Sequence, residues 1–178
     1  MKDTLLMFAK DNKETNKTVF DLLDKLSNED REKDRGSHYG SLSGLLRHIL
    51  GGTIYFQGMF KSSLKGTMAD PKALSKIDMI SFPDAQLSAD QWKSLAGHLE
   101  AADQATISFI EGLNEDDFQL PINIDWYEGS PATVPLFFLL NQLMVHHIHH
   151  RGQISQILDE MKVDNDFSGI NINFLPEP

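Results

Sequence analysis

The sequence predicts an all-α protein, a four-helix bundle with a long crossover connection, and three observations carry this. Apolar residues recur at steps of three and four over four separate stretches, near residues 2–26, 42–64, 88–113 and 134–161. Ser41 and Ser88 stand where helix N-caps are needed. The link from Lys65 to Leu87 contains Gly66, Pro71 and Pro83. A link of that length is either functional or crosses the bundle.

Each element has its own signature. The first stretch places Leu5, Phe8, Ala9, Val19, Leu22, Leu23 and Leu26 at helical spacing, with Asn12 and Asn16 on one face in the middle. Those two asparagines read as semi-exposed polar positions; the other reading is that they point into a polar cavity. Ser27 caps a short following turn, and Glu29 and Asp30 suit its start. After a polar loop from Asp34 to Gly40, the second helix carries Leu42, Leu45, Leu46, Ile49, Phe56 and Phe60 as its core stripe. The third begins after Ser88, with Asp90 in its first turn. From Gln119 to Trp126 the period changes to two: Leu120, Ile122, Ile124 and Trp126 share one face of an extended strand, which Pro121 restricts to an edge. Gly129, Ser130 and Pro131 mark a turn. The fourth helix opens near Val134 and Pro135. In the tail, Ile170, Ile172 and Phe174 alternate, so a strand or an extended arm is expected.

The bulk properties exclude several classes. At 178 residues the chain suits a single domain over residues 1–178. With 40% apolar and 24% charged residues it has enough apolar material for a core, which argues against disorder. Its apolar runs are short, Leu136 to Leu140 being the clearest, far from the ~20 residues of a membrane span. The opening Met1-Lys2-Asp3-Thr4-Leu5-Leu6 lacks an apolar signal region, so a cytoplasmic location is expected. The net charge of −10 opposes a phosphate backbone, and the densest basic stretch, Arg31 to Arg35, is broken by Glu32 and Asp34. Neither a nucleic-acid nor a membrane partner is expected. Because cysteine is absent, thiolate ligands and a cysteine nucleophile are excluded, and any thiol must arrive on a small molecule.

Chemistry concentrates in His146-His147-Ile148-His149-His150, which holds four of the seven histidines. Residues four apart share a helical face, so His146 and His150 can present two imidazoles to one ion. With a turn of ~100° per residue, His150 falls within the helix's apolar stripe, His146 and His147 at its edges and His149 well off it. The i, i+3 pairs His147 with His150 and His146 with His149 are also sterically allowed. Inward imidazoles need partners, and a shared metal is one answer. His48 lies mid-way along the second helix between Gly44, Gly51 and Gly52. Interior glycines cost ~1 kcal/mol each relative to alanine, so space is needed there, either for a close-packed helix or for a metal and its ligand.

The segment His146 to Gln153 resembles the H-x-x-H-H-R-G-Q signature of the DinB-like, or YfiT-like, metalloenzymes. The segment Ser41 to Leu50 is similar to that family's second-helix histidine motif, and the first helix with Asn12, followed by Leu26-Ser27-Asn28-Glu29, is similar to its usual start. The resemblance covers most of the chain. It implies a four-helix bundle with a long crossover and a metal site of His48, His146 and His150, with His147 and His149 not binding. Gly52-Thr53-Ile54-Tyr55 departs from the family, where an acidic and an aromatic residue often follow the histidine. Gln153 suits a role behind an imidazole or a bound water. Arg151 reads as a structural ion-pair residue. Trp126, Tyr127 and Phe56 are candidate pocket walls, and Asp125 and Glu128 are the candidate acid or base.

Three neutral ligands and an open position suit one divalent ion, zinc or nickel being expected, although imidazole also suits iron and copper. What the resemblance implies is a metal-dependent transferase acting through a low-molecular-weight thiol such as bacillithiol or mycothiol. Metal-assisted hydrolysis uses the same parts, and a non-catalytic metal- or ligand-binding stress protein is the reading from another class. Metal binding is expected to weaken as pH falls through the imidazole range. A homodimer is expected from the resemblance and from the general preference for two-fold assemblies.

Overall fold

The computed structural model describes residues 1–67, 69, 71–74, 86–126 and 131–174. Pro83, Tyr127, Glu128, Gly129 and Ser130, each singled out by the sequence, lie outside the described residues. The four long helices are α1 (Lys2–Asp24), α3 (Leu42–Leu64), α4 (Ala89–Gly112) and α5 (Leu136–Glu160), with a one-turn α2 (Asn28–Glu32) between the first two. Among the described residues no helix is long and apolar enough to cross a membrane.

The caps fall where the sequence placed them. The hydroxyls of Ser41 and Ser88 accept from the backbone N–H of Gly44 and Gln91, and Gln91 returns a bond to the Ser88 N–H in a capping box. Ser27 caps α2 through the Asp30 N–H. The first helix ends two residues earlier than its apolar stripe suggests, because Arg31 reaches back to it. Its guanidinium donates to the carbonyls of Leu23 (3.3 Å), Asp24 (3.4 Å) and Leu26 (2.6 Å) and lies 4.5 Å over the Trp92 ring. Arg31 is therefore buried, and the Arg31 to Arg35 stretch is not a basic surface.

Packing joins α1 chiefly to α4 and α3 chiefly to α5. The first helix thus neighbours the third long helix, as a crossover from α3 to α4 requires. Within that crossover, Lys72–Leu74 form a single 3-10 turn. Another, Glu115–Gln119, follows α4 and takes the first residue of the expected strand. Strand β1 is Pro121–Ile124, burying Ile122 and Ile124, while Trp126 is 38% exposed.

One expectation changes. Val134 and Pro135 do not open the last helix. They belong to a second strand, β2 (Ala132–Pro135), antiparallel to β1 with Ile122 opposite Val134 and Pro121 opposite Pro135. The β-branched pair Thr133 and Val134 favours the ladder, and Pro135 then serves as the N-cap residue of α5. Of the two readings of the tail, the described part takes the arm. Phe167 packs on the core, the Asn171 N–H donates to Asp11 Oδ1 at 2.8 Å, and Ile172–Phe174 make a 3-10 turn.

The apolar core divides into two clusters. One joins Leu5, Phe56, Phe60, Phe109, Ile122 and Leu140; the other joins Val19, Leu45, Ile49, Trp92, Leu95 and Ile154. Between them runs a buried polar layer to which every long helix contributes: Asn12 and Asn16, Thr53 and Gln57, Asp103 and Thr106, His147 and Arg151.

Candidate metal centre

Helix α3 supplies His48, and α5 supplies His146 and His150 one turn apart. Their ring centroids lie 4.8 Å (His48 to His146), 4.5 Å (His48 to His150) and 4.5 Å (His146 to His150) apart. One ring nitrogen from each falls within 4.8 Å of the others, and the cluster contains no carboxylate. The Nε2 atoms of His48 and His146 are 2.9 Å apart.

Several features fit this set to a divalent ion. Tetrahedral nitrogens at ~2.05 Å from an ion stand about 3.3 Å apart, which the observed spacing brackets. His150 Nδ1 lies 2.7 Å from Gln153 Oε1. An amide oxygen only accepts, so Nδ1 carries the proton and Nε2 is left with its lone pair for a metal. His146 Nδ1 is buried with no hydrogen-bond partner among the described residues. Burial pushes His48 and His146 down to about 4, with His150 adding to each shift, and burial also lowers His150. All three are neutral, as ligands must be.

The glycines divide by role. A Cβ on Gly52 would fall 2.9 Å from both ring nitrogens of His146 and nearer still to Cε1, so Gly52 makes room for that ring. A Cβ on Gly44 would collide with the Tyr39 carbonyl, so this glycine admits the preceding loop. Gly51 is different: it is exposed and has open space around its Cβ direction, so it does not shape the site.

The structure brings in one residue that sequence reasoning missed. Tyr39 stacks on His48 at 3.7 Å between centroids and meets His150 edge-on at 5.3 Å. It sits in the loop read only as polar. Its one signal is an aromatic residue ahead of Gly40, whose φ of +72° tightens the loop toward α3. Phe56 does flank the site, its ring 6.4 Å from that of His146, and Trp126 packs on Phe56 at 6.0 Å. Asp125 is exposed and not part of the cluster. His149 is exposed and outside the cluster, although its ring lies 4.8 Å from that of His150.

His147 turns the other way, into the polar layer, and is fully buried. Its Nδ1 accepts from the side-chain amides of Asn12 (2.8 Å) and Asn16 (3.1 Å). The ring proton therefore sits on Nε2 and is donated to Thr53 Oγ1 at 2.7 Å, and that hydroxyl donates on to the Ile49 carbonyl. Burial, with Arg151 adding to it, holds His147 well below the ordinary imidazole range.

The reading of Asn12 and Asn16 as semi-exposed is thus overturned: both are buried, Asn12 with two partners in the layer and Asn16 with three. Arg151 is structural, but not through an ion pair. Its guanidinium donates to the Asn12 and Asn16 amide oxygens, the latter at 3.1 Å, and among the described residues no carboxylate pairs with it. Asn16 also donates to Asp103 Oδ2 at 2.8 Å. Burial raises Asp103 to about 7 against the lowering effects of Asn16 and Arg151.

No curated protein shows significant sequence similarity to the chain. A family model does: it spans α1 through the end of α5, including all three histidines and the buried layer behind them. Matched over residues 1–163, the chain belongs to the DinB family.

Proposed function

We propose that the protein is a metal-dependent enzyme of thiol-transferase type, built on one divalent ion, zinc or nickel, held by His48, His146 and His150. The observation that carries this is a convergent set of three neutral imidazoles with no carboxylate among them. Such a set leaves the full charge of a divalent ion, which when bound favours the anionic form of a substrate thiol or water. The chain's residues do the positioning. Gln153 fixes the tautomer of His150, Gly52 admits the ring of His146, and Tyr39 covers one face of His48. A thiol nucleophile is favoured over hydrolysis because, among the described residues, no carboxylate joins the cluster to serve as a base for water. The thiol comes from a small molecule, since the chain has no cysteine.

Elemental analysis of untagged protein, never exposed to chelator, tests the site. One equivalent of metal is expected, lost on replacing His48, His146 or His150 by alanine and kept in His149→Ala. Metal lost from the His149 variant and kept in the His146 variant would overturn the assignment. Cobalt-loaded protein tests the chemistry: a low-molecular-weight thiol should produce a thiolate-to-metal absorption band, and no band at saturating thiol would refute the transferase reading.

The protein is further proposed to work as a homodimer. Val145 (57% exposed) and Ile148 (54%) give α5 an outward apolar face that a second copy would cover. Light scattering that finds only 20.1 kDa particles at micromolar concentration would reject it.

A further inference from the structure

Beside the metal centre runs a groove of ≈ 440 Å³, between the loop after α2 and the second half of α5. Arg35 and Ser37 line it from the loop; His149, Gln153, Gln156 and Glu160 line it from the helix. Gln153 connects the two places, since its amide oxygen holds His150.

Arg35 is fixed in position. Its backbone N–H donates to the Gly40 carbonyl at 2.7 Å, and its Nη2 lies 3.1 Å from both the Asp30 carbonyl and Met161 Sδ. What it lacks is a counter-ion. The chain has 26 acidic side chains against 16 basic ones, yet among the described residues none makes an ion pair with Arg35. Glu160 lines the same groove and turns instead to Gln156, which donates to it at 3.1 Å. Two more donors in the loop are unsatisfied: Arg35 Nε and Ser37 Oγ are buried without a hydrogen-bond partner among the described residues. Unpaired buried donors destabilise a fold, so the loop is organised around a partner that the described residues do not supply.

We propose that this groove binds a carboxylate arm of the substrate, with Arg35 as its counter-ion and the Ser37 hydroxyl turning to donate to it. Assigning the arm to a substrate rests on the metal-centre reading, which places the reacting end at His48, His146 and His150. A carboxylate fits better than a phosphoryl group. Its two oxygens match the guanidinium edge and one hydroxyl, whereas a phosphoryl dianion carries both charges on the one head that would face Glu160 across the groove.

Succinate, titrated into the metal-free protein and followed by amide NMR, tests the groove by itself. Saturable shifts are expected in residues 36–40 and 149–157. Neutral succinamide should leave these amides unmoved, and methyl phosphate should bind more weakly than succinate. Arg35→Met should weaken succinate by about tenfold or more, the loss of one charge-assisted bond. Arg35→Lys, which keeps the charge but not the fork, should recover only part of it. Ser37→Ala guards against a merely structural effect: its hydroxyl bonds nothing among the described residues, so stability should hold while succinate binding falls. Absence of saturable shifts would overturn the proposal, as would equal binding of succinamide, tighter binding of methyl phosphate, or undiminished binding in Arg35→Met. Metal uptake measured on the same preparations fails or succeeds independently, so the two readings fall separately.

Discussion

Replacing Gly52 by alanine should disable the metal centre while leaving the fold intact. The added Cβ would lie 2.9 Å from both nitrogens of the His146 ring, where ordinary contact begins at 3.4 Å. The ring must therefore retreat by at least ~0.5 Å, and metal–ligand distances tolerate only ~0.2 Å. Apparent zinc binding energies of ~10–16 kcal/mol over four ligands give roughly 3 kcal/mol per ligand, or a loss of about 100-fold in affinity. Stability should hardly move, because alanine gains ~1 kcal/mol over glycine in a helix and a displaced rotamer costs ~0.5–1.5 kcal/mol. Competition against a chromophoric chelator measures the affinity, and thermal unfolding in excess chelator measures the fold. Gly51→Ala is the matched control: its Cβ meets nothing within 4 Å, so it should gain the helix energy and keep the metal. Affinity in Gly52→Ala within about threefold of the native protein would refute the argument, as would an equal loss in Gly51→Ala.

Three more outcomes follow from the same geometry. Metal affinity should hold as pH falls through 6.5 and decline at lower pH, because burial lowers all three imidazoles, His48 and His146 to about 4, and a chelator titration across pH reads this directly. With their folded pKa values depressed, the stability these imidazoles contribute to the metal-free protein is present above 6.5 and lost as pH falls toward 4. Asp103 has the opposite sign: raised from 3.8 to about 7, it contributes stability that is full below 3.8 and lost as pH rises through 7. Asp103→Asn should therefore be more stable than the native protein at alkaline pH, by an amount on the order of a few kcal/mol, as seen in urea unfolding across pH. Asn16→Ala should cost ~1–3 kcal/mol in the same assay, since it removes a partner from Asp103, His147 and Arg151 together.

Helical period and capping made the bundle legible in the sequence. The four stripes and serine caps depend only on neighbours along the chain, and they placed the long helices to within two residues. Pairing with another segment is not encoded so locally, and there the reading failed. Val134 and Pro135 join β2 because Ile122 and Pro121 lie opposite them. Similar reasoning applies at the site. The i, i+4 spacing brought His146 and His150 together, but helical angle alone left His147 ambiguous at the stripe's edge. Its burial is decided by Asn12, Asn16 and Thr53, which are remote in sequence. Asparagine mid-helix is usually wet, and only a partner such as Arg151 reverses that preference. Tyr39 was invisible for a related reason, since a loop aromatic shows no period from which its target can be read.

Along α5 the histidines alternate in allegiance. His146 and His150 face the cluster with His48, while His147 and Arg151 face the layer that ties the four long helices together. Inheritance can therefore act on the two sets separately. A lineage that lost His48 or His146 would lose the three-imidazole cluster and keep a well-folded bundle, free to drift toward another ligand. One that lost His147 or Arg151 would lose the frame first. Descendants of this architecture should accordingly vary more in the residues of the three-histidine cluster than in those that face the layer behind it.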